Sequence, residues 1–185
     1  MVFSSMVDEA HAVGALGPGG RGLWRRGAGY GGHRPGTFGK SLGLFGSFLL
    51  LPKGFAAFFE SLSSAVMHST AMPPAHAAAV LKLLERLPLL DAERARLRDN
   101  AVFFSHPLCE LGIPTRGTLI SLRYLQAGKQ DDHLGEQLAE RGVLALAARY
   151  PTVPYGDGLL RFGLTALHTQ GMLERTARLL ADLWG

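Results

Sequence analysis

A glycine-rich segment, residues 14–36, constrains the fold of this chain of 185 residues more than any other feature. The segment contains Pro18 and Pro35 and shows little hydrophobic periodicity, a pattern that predicts an irregular loop and no helix or strand. A long irregular stretch inside a compact domain usually has a functional reason. We therefore expect a short strand at residues 2–7, this loop, and then the remaining elements of the fold.

The predicted strands and helices alternate up to about residue 90, as they do in parallel α/β layers. After residue 91 they form a small α+β unit, in which Pro107 should kink or shorten the first helix. The sequence thus predicts an α/β fold with a domain at residues 1–90 and a small α+β domain at residues 91–185. Apolar periodicity and turn residues place strands at 45–51 (buried), 119–125, 143–149 and 159–164, and helices at 55–67, 75–87, 91–111, 132–141 and after a cap at Thr169.

Composition excludes several classes of protein. Hydrophobic residues make up 47% of the chain and charged residues 18%, which indicates a globular protein with a buried core. Basic residues cluster near the start, but no recognition helix or interleaved aromatic residues accompany them, so we predict no nucleic-acid partner. A solvated loop or a site for an anionic substrate explains the cluster better; its members are Arg21, Arg25, Arg26 and Arg34.

Cysteine and histidine usage excludes two further kinds of site. Cys109 is the only cysteine, so no disulfide forms within the chain, and its apolar surroundings predict a buried side chain. The seven histidines show no pair at metal-ligand spacing, so we predict no metal. The start of the chain lacks a signal-peptide pattern, and the apolar run at residues 42–51 is too short to span a bilayer. We expect a cytoplasmic protein without a membrane partner.

Two motifs contain the residue types that pyridoxal-phosphate chemistry requires. One is Gly36-Thr37-Phe38-Gly39-Lys40-Ser41-Leu42-Gly43, and the other, upstream, is Val7-Asp8-Glu9-Ala10-His11-Ala12-Val13-Gly14. A lysine amine forms a Schiff base with the cofactor, and a carboxylate keeps the pyridine nitrogen protonated. Lys40 and Asp8 fit these two roles, and His11 fits a hydrogen bond to the phenolic oxygen. Taken singly, Lys40 is more typical of a surface cation than of a catalytic amine, and Asp8 is more typical of a strand-end or capping carboxylate.

Two nucleotide-binding motifs are matched only in part. Gly17-Pro18-Gly19-Gly20-Arg21-Gly22 has the glycine spacing of a dinucleotide fingerprint, but no helical pattern follows it and no acidic residue stands at the expected distance. Gly39-Lys40-Ser41 resembles the end of a P-loop, but Arg34 occupies the position of the first glycine. We therefore predict neither a dinucleotide site nor a phosphate-binding P-loop.

Five motifs occur in a recognisable order along the chain. They are residues 7–14, Gly20-Arg21-Gly22, Thr37-Phe38-Gly39-Lys40, Ser69-Thr70-Ala71-Met72-Pro73-Pro74 and Pro151-Thr152-Val153-Pro154. Together they resemble the α-oxoamine synthases, a fold-type I pyridoxal-phosphate family that joins an amino acid to an acyl thioester with loss of carbon dioxide. The separation of Asp8 from Lys40 is similar to that in the family, with no gap, and the closest resemblance is to the 8-amino-7-oxononanoate synthases.

The resemblance implies a role for each residue that matches the family pattern. Lys40 and His11 would be catalytic, and Asp8, His11, Thr37 and Lys40 would bind pyridoxal 5'-phosphate. Ser69 and Thr70 would reach the cofactor of a neighbouring subunit, which implies a homodimer with shared sites. Arg161 would bind the carboxylate of the amino-acid substrate through its bidentate guanidinium. His168 either has the role of its family counterpart or caps the last helix.

The sequence departs from the family in two ways. The family's N-terminal half, which supplies the ring-stacking aromatic residue and a phosphate-binding turn, has no counterpart here. Residues 30–36 are rich in glycine and proline where the family has an apolar strand, so we expect no strand there. The resemblance implies the C-terminal part of a synthase that uses alanine. The alternatives are a related synthase that uses glycine, serine or another acyl chain, and an inactive fragment or interaction module.

Overall fold

Two compact units make up the computed structural model, Met1–Asp91 and Ala92–Gly185. The structure describes residues 5–23, 32–113, 115–117, 122–126 and 131–184. The side chains of residues 122–126 and 131–132 are outside that description. None of the described helices combines the length and the hydropathy that crossing a bilayer requires.

The first unit contains an antiparallel hairpin of β1 (Arg34–Thr37) and β2 (Ser47–Leu50), in which Arg34 pairs with Leu50 and Thr37 with Ser47. The expectation of no strand within residues 30–36 was wrong, because pairing with β2 holds Pro35 and Gly36 in extended conformation. The predicted strand at 45–51 exists in shorter form, but its residues are exposed or half-buried and not fully buried. Of the predicted strand at 2–7, residues 2–4 lie outside the described part, and Met6 forms an isolated parallel bridge with His33.

Besides the hairpin, the described residues of the first unit form three α-helices and two short 3-10 helices. The predicted helix at 55–67 is confirmed but is divided by Ser63 into α1 (Phe55–Leu62) and α2 (Ser64–Met67). The predicted helix at 75–87 corresponds to α3 (Pro74–Arg86). The 3-10 helices are Pro18–Gly20 and Leu87–Leu89. The core of this unit is small, and its buried members are Val13, Phe38, Leu42, Val80 and Leu87.

The second unit is a four-stranded antiparallel sheet with three helices. The strand order is β3-β4-β6-β5, so β6 (Leu159–Gly163) lies between β4 (Leu122–Gln126) and β5 (Leu146–Ala148). The edge strand β3 (Thr115–Arg116) was not predicted. The helices are α4 (Asp91–Glu110), α5 (Asp131–Glu140) and α6 (Gln170–Trp184), which confirms the three that the sequence predicts.

The core of the second unit lies between one face of this sheet and its helices. Leu160 and Phe162 of β6 are buried, whereas their neighbours Leu159 and Arg161 are half-buried, as the alternation of a strand requires. The buried cluster contains Ala101, Phe104, Leu108, Ile113, Leu134, Leu138, Leu160, Phe162, Leu164, Leu173, Ala177 and Leu180. Leu173 and Leu180 belong to the apolar face predicted for the last helix.

The structure bears on two sequence expectations about α4. The helix continues past Pro107 to Glu110, close to the predicted end at residue 111, so the proline does not shorten it. The expectation of a buried Cys109 was wrong, because this side chain is exposed. The adjacent Leu108, by contrast, is fully buried. Consecutive helical residues point about 100° apart, so an apolar neighbourhood in sequence does not by itself define which side chain faces the core.

Replacing a buried leucine of α6 should destabilise the second unit. Leu180 is 0% exposed, and Leu180→Ala should lower the free energy of unfolding by about 2–5 kcal/mol because it leaves a cavity in a close-packed core. The matched control is Leu144→Ala, at a leucine that is 87% exposed, which should change the free energy by less than about 0.5 kcal/mol. Denaturant unfolding followed by circular dichroism measures both, and equal effects would contradict the assigned core.

Candidate active site

Lys40 lies in the connection between β1 and β2, residues 38–46. Two backbone hydrogen bonds close this loop, from Phe38 N to Gly46 O (2.9 Å) and from Leu44 N to Phe38 O (2.7 Å). The Thr37 hydroxyl donates to Gly46 O (3.0 Å) and accepts from Gly39 N (3.1 Å). The Thr37 hydroxyl, which the resemblance assigns to cofactor binding, therefore makes hydrogen bonds within the loop, and these bonds stabilise the loop conformation.

The side chain of Lys40 is exposed. Its ammonium group makes no hydrogen bond or ion pair with any residue in the described part of the chain. A lysine without a competing carboxylate is available for covalent chemistry once its amine is deprotonated. The loop therefore presents an accessible amine at a position defined by the backbone bonds on either side of it.

The segment that contains Asp8 and His11 runs beside the start of β1. Val7 N donates to His33 O (3.0 Å) and Glu9 N donates to Pro35 O (2.9 Å). The chain then turns, and the exposed Asp8 carboxylate accepts a hydrogen bond through Oδ1 from Ala10 N (2.8 Å). The second oxygen of Asp8 has no partner among the described residues, and His11 is half-buried.

A further hydrogen bond joins this segment to the lysine loop, from Ser41 Oγ to Val13 O. Gly14, which has a φ of +88°, packs against the same serine. A Cβ atom at this position would overlap the Ser41 side chain and would lie 3.2 Å from Leu42 Cδ2. The structure thus brings together the two motifs that the sequence separates by the glycine-rich segment. Asp8, His11 and Lys40 belong to adjoining backbone segments of one unit.

The segment with Ser69 and Thr70 also passes beside the lysine loop. Both residues are exposed, and Ser69 Oγ donates to Val66 O (2.9 Å). Met72, which follows them in the sequence, packs against Gly46 of the loop. The approach is so close that a Cβ atom at Gly46 would lie 2.6 Å from Met72 Cε. His76 Nε2 lies 2.7 Å from Phe45 O. These contacts place Met72 and His76 against the end of the loop that precedes β2, while the proposed role of Ser69 and Thr70 toward a neighbouring subunit stays a prediction.

Arg161 belongs to the second unit, at the centre of β6. It pairs in register with Tyr124 of β4 and Leu146 of β5. Its neighbours Leu160 and Phe162 point into the core, so the half-buried Arg161 side chain lies on the opposite face of the sheet. Its predicted role in substrate binding remains a prediction.

The turn after β6 contains His168, and Thr169 caps the helix that follows. Met172 N donates to Thr169 Oγ1 (3.3 Å), which confirms the predicted cap. His168 accepts through Nδ1 from Thr165 N (3.2 Å), so its ring holds the turn and does not cap α6. The buried Asn100 of α4 donates to Thr165 O (3.0 Å) and His168 O (2.9 Å).

Sequence reasoning missed the most buried charged group in the motif of residues 7–14. Glu9 is 1% exposed, accepts a hydrogen bond from Leu23 N (3.1 Å), and lies 3.5 Å from Arg34 Nη2. The contact with Arg34 spans the whole glycine-rich segment, so no local spacing could have indicated it. The nearest sequence signal was the arginine cluster itself, which suggested an anionic partner without identifying one.

Comparison with known proteins shows which family the chain is similar to. Residues 4–180 match the class I and II aminotransferase family. Among curated relatives, 8-amino-7-oxononanoate synthase of Serratia proteamaculans is 35% identical over 185 residues, covering 96% of this chain and 47% of the relative. The same enzyme of Gluconacetobacter diazotrophicus is 36% identical over 178 residues, covering 95% and 44%.

Solved structures give the same result. The crystal structure of 8-amino-7-oxononanoate synthase from Francisella tularensis superposes with a TM-score of 0.83 at 25% identity, covering 96% of this chain and 54% of that one. Sphingomonas wittichii serine palmitoyltransferase gives 0.86 at 25% identity, covering 96% and 46%. The chain spans about half the length of the curated relatives it matches. The predicted α/β fold of a fold-type I transferase is confirmed.

The contact between the two motifs can be tested at Gly14. Gly14→Ala combines a positive φ of 88° with overlap on Ser41, whereas Gly54→Ala has a similar φ of 94° and no atom within 4 Å. The control should cost about 1–2 kcal/mol of unfolding free energy from backbone strain alone. The Gly14 variant should cost about 1–3 kcal/mol more because of overpacking. Equal costs in denaturant unfolding would show that the two segments are not in contact.

Proposed function

Since this chain belongs to the class I and II aminotransferase family, we propose that it is the lysine-bearing part of a pyridoxal-phosphate-dependent α-oxoamine synthase. The observation that supports this most directly is the joining of the Asp8–His11 segment to the Lys40 loop through Ser41 and Val13. Relatives at about one-third identity are named 8-amino-7-oxononanoate synthase, which favours the same reaction class here.

The available groups fit pyridoxal phosphate. Lys40 supplies an amine without an ion pair in the described part of the chain, and Asp8 supplies one carboxylate oxygen that is not used by the turn. When bound, the cofactor supplies an electron sink for the carbanion chemistry of an amino acid. Lys40 would hold the cofactor covalently and, once released, take up the substrate proton at its amine. Asp8 would accept a hydrogen bond from the ring nitrogen, and His11 would donate one to the phenolic oxygen.

We propose an amino acid and an acyl thioester as the two substrates, with alanine as the amino acid and loss of carbon dioxide. Arg161 would bind the amino-acid carboxylate, a task for which its planar guanidinium is suited. The structural similarity to serine palmitoyltransferase favours serine with another acyl chain as the alternative, and glycine is a further one. We also propose a cytoplasmic homodimer in which Ser69 and Thr70, both exposed, contact the cofactor of the neighbouring subunit.

The candidate from a different class is a non-catalytic fragment or interaction module. The exposure of Asp8 and Lys40 favours it, because charged groups in water interact weakly and do not hold a ring in one geometry. The two candidates differ in a direct way. A working site forms a covalent, lysine-dependent adduct with the cofactor, and an interaction module does not.

Replacing Lys40 should abolish covalent cofactor binding. With pyridoxal phosphate added, the wild-type chain should develop visible absorbance, and borohydride reduction followed by peptide mass spectrometry should place the cofactor on Lys40. Lys40→Ala should lose both signals because the amine proposed to bind the cofactor is removed. Lys53→Ala, at an exposed lysine outside the motif, is the matched control and should retain them. A signal that survives in Lys40→Ala, or one that is absent from the wild type, would overturn the proposed function.

Replacing Arg161 should weaken amino-acid binding to the cofactor-loaded chain. Arg161→Lys keeps the charge but loses the bidentate fork, so the dissociation constant for alanine should rise roughly tenfold or more. Titration of the visible spectrum with alanine, glycine and serine measures this constant and ranks the substrates. Arg178→Lys, at an exposed arginine paired with Glu174, is the control and should leave it unchanged. An unaltered constant in Arg161→Lys would remove Arg161 from the substrate site.

A further inference from the structure

Glu9 is a buried carboxylate between the two residues proposed to hold the cofactor ring. Its side chain is 1% exposed, and carboxylates are almost never buried to that extent unless they are paired. Interactions with the described residues include these: Leu23 N donates to Oε2 at 3.1 Å, and Arg34 Nη2 lies 3.5 Å from Oε1. Leu23 belongs to the glycine-rich segment and Arg34 is the first residue of β1, so one carboxylate connects both to the Asp8 motif.

The backbone of Glu9 makes connections of its own. Its amide donates to Pro35 O (2.9 Å), and its carbonyl accepts from Ala12 N (2.9 Å) and Val13 N (3.0 Å). The turn formed by these bonds ends at Val13, whose carbonyl accepts the Ser41 hydroxyl. Glu9 is thus the residue at which the Asp8–His11 turn, the glycine-rich segment and the strand that leads to Lys40 are all joined.

The backbone at Gly22 comes very close to the Glu9 carboxylate. Its φ is +88°, and a Cβ there would lie 2.6 Å from Glu9 Oε2. Only glycine adopts this conformation without strain and lets the backbone come so close to the oxygen. The close approach of the chain to the buried carboxylate is therefore specified by the sequence at a second position.

We propose that Glu9 is a positioning residue for the cofactor site. In an extended segment, neighbouring side chains point in opposite directions, so Glu9, held inward by Leu23 and Arg34, turns Asp8 outward to the exposed side. We call the Glu9 side chain with its contacts to Leu23 and Arg34 the anchor. The anchor also keeps the Asp8–His11 turn in register with β1, which leads into the Lys40 loop. This inference rests on the proposed function for its consequence at the cofactor, but the anchor itself does not depend on it.

Two substitutions separate the anchor from the cofactor effect. Glu9→Gln keeps the shape and an oxygen for Leu23 N but removes the charge opposite Arg34, and Glu9→Ala removes both interactions. In the cofactor-free chain, Glu9→Gln should accelerate hydrogen exchange at the amides of Val7, residue 9 and Leu23 about tenfold, and Glu9→Ala should accelerate it further. Glu60→Gln, at an exposed glutamate, is the matched control and should change none of these amides.

The cofactor measurement tests positioning as distinct from stability. In the full chain, Glu9→Gln should raise the dissociation constant for pyridoxal phosphate about tenfold, while the thermal midpoint falls by only a few degrees. Unchanged amide exchange in both Glu9 variants would overturn the anchor. Wild-type cofactor affinity in Glu9→Gln, or a loss fully accounted for by unfolding, would overturn the positioning role. A wild-type chain that takes up no cofactor would overturn the proposed function, and the exchange data would still decide whether Glu9 is the anchor.

Discussion

The parallel pairing of the Asp8 segment with the start of β1 is the interaction on which the candidate site depends. Its three hydrogen bonds, His33 N to Ser5 O, Val7 N to His33 O and Glu9 N to Pro35 O, close a long loop, and loop closure costs conformational entropy. Bonds within the glycine-rich segment, such as Gly14 N to Gly20 O (2.7 Å) and Gly22 N to Leu16 O (3.0 Å), help to offset that cost. The loop predicted from composition is therefore organised by its own backbone as well as by Glu9.

Elements that sequence periodicity predicted well are those whose stability is largely local. The last helix combines a side-chain cap at Thr169 with an apolar face that includes Leu173 and Leu180, and both signals lie within a few turns of each other. The strand Arg34–Thr37 could not be predicted in this way, because Pro35 and Gly36 have low strand propensity. Its conformation is imposed by β2 on one side and by the Asp8 segment on the other, and both partners are distant in sequence.

In the candidate site, too, local sequence motifs predicted individual residues, whereas contacts between distant segments could not be predicted. The motifs proposed Asp8, His11 and Lys40 as site residues, and the family resemblance implied that they meet, but the contact between Ser41 and Val13 is visible only in the fold. Burial was still harder to predict. Glu9 is buried, whereas the adjacent Asp8 is exposed. In α1 no residue is buried, although the helix has an apolar stripe formed by Phe55, Phe58, Phe59 and Leu62. A periodic stripe indicates that one face of a helix is apolar, and what covers that face is decided by the tertiary fold.

Exposure bears on what the proposed site could contribute to catalysis. Electrostatic stabilisation of a developing charge is strong where water is excluded and weak where the groups are solvated. In the described part of the chain, Asp8 and Lys40 are both exposed, whereas Glu9, which contacts the backbone segments on either side, is fully buried. The described residues therefore explain how the proposed groups are positioned, and their present exposure keeps their electrostatic effect weak. If Glu9 holds these segments in place as proposed, covering the exposed side of the site would strengthen the groups without rearranging them.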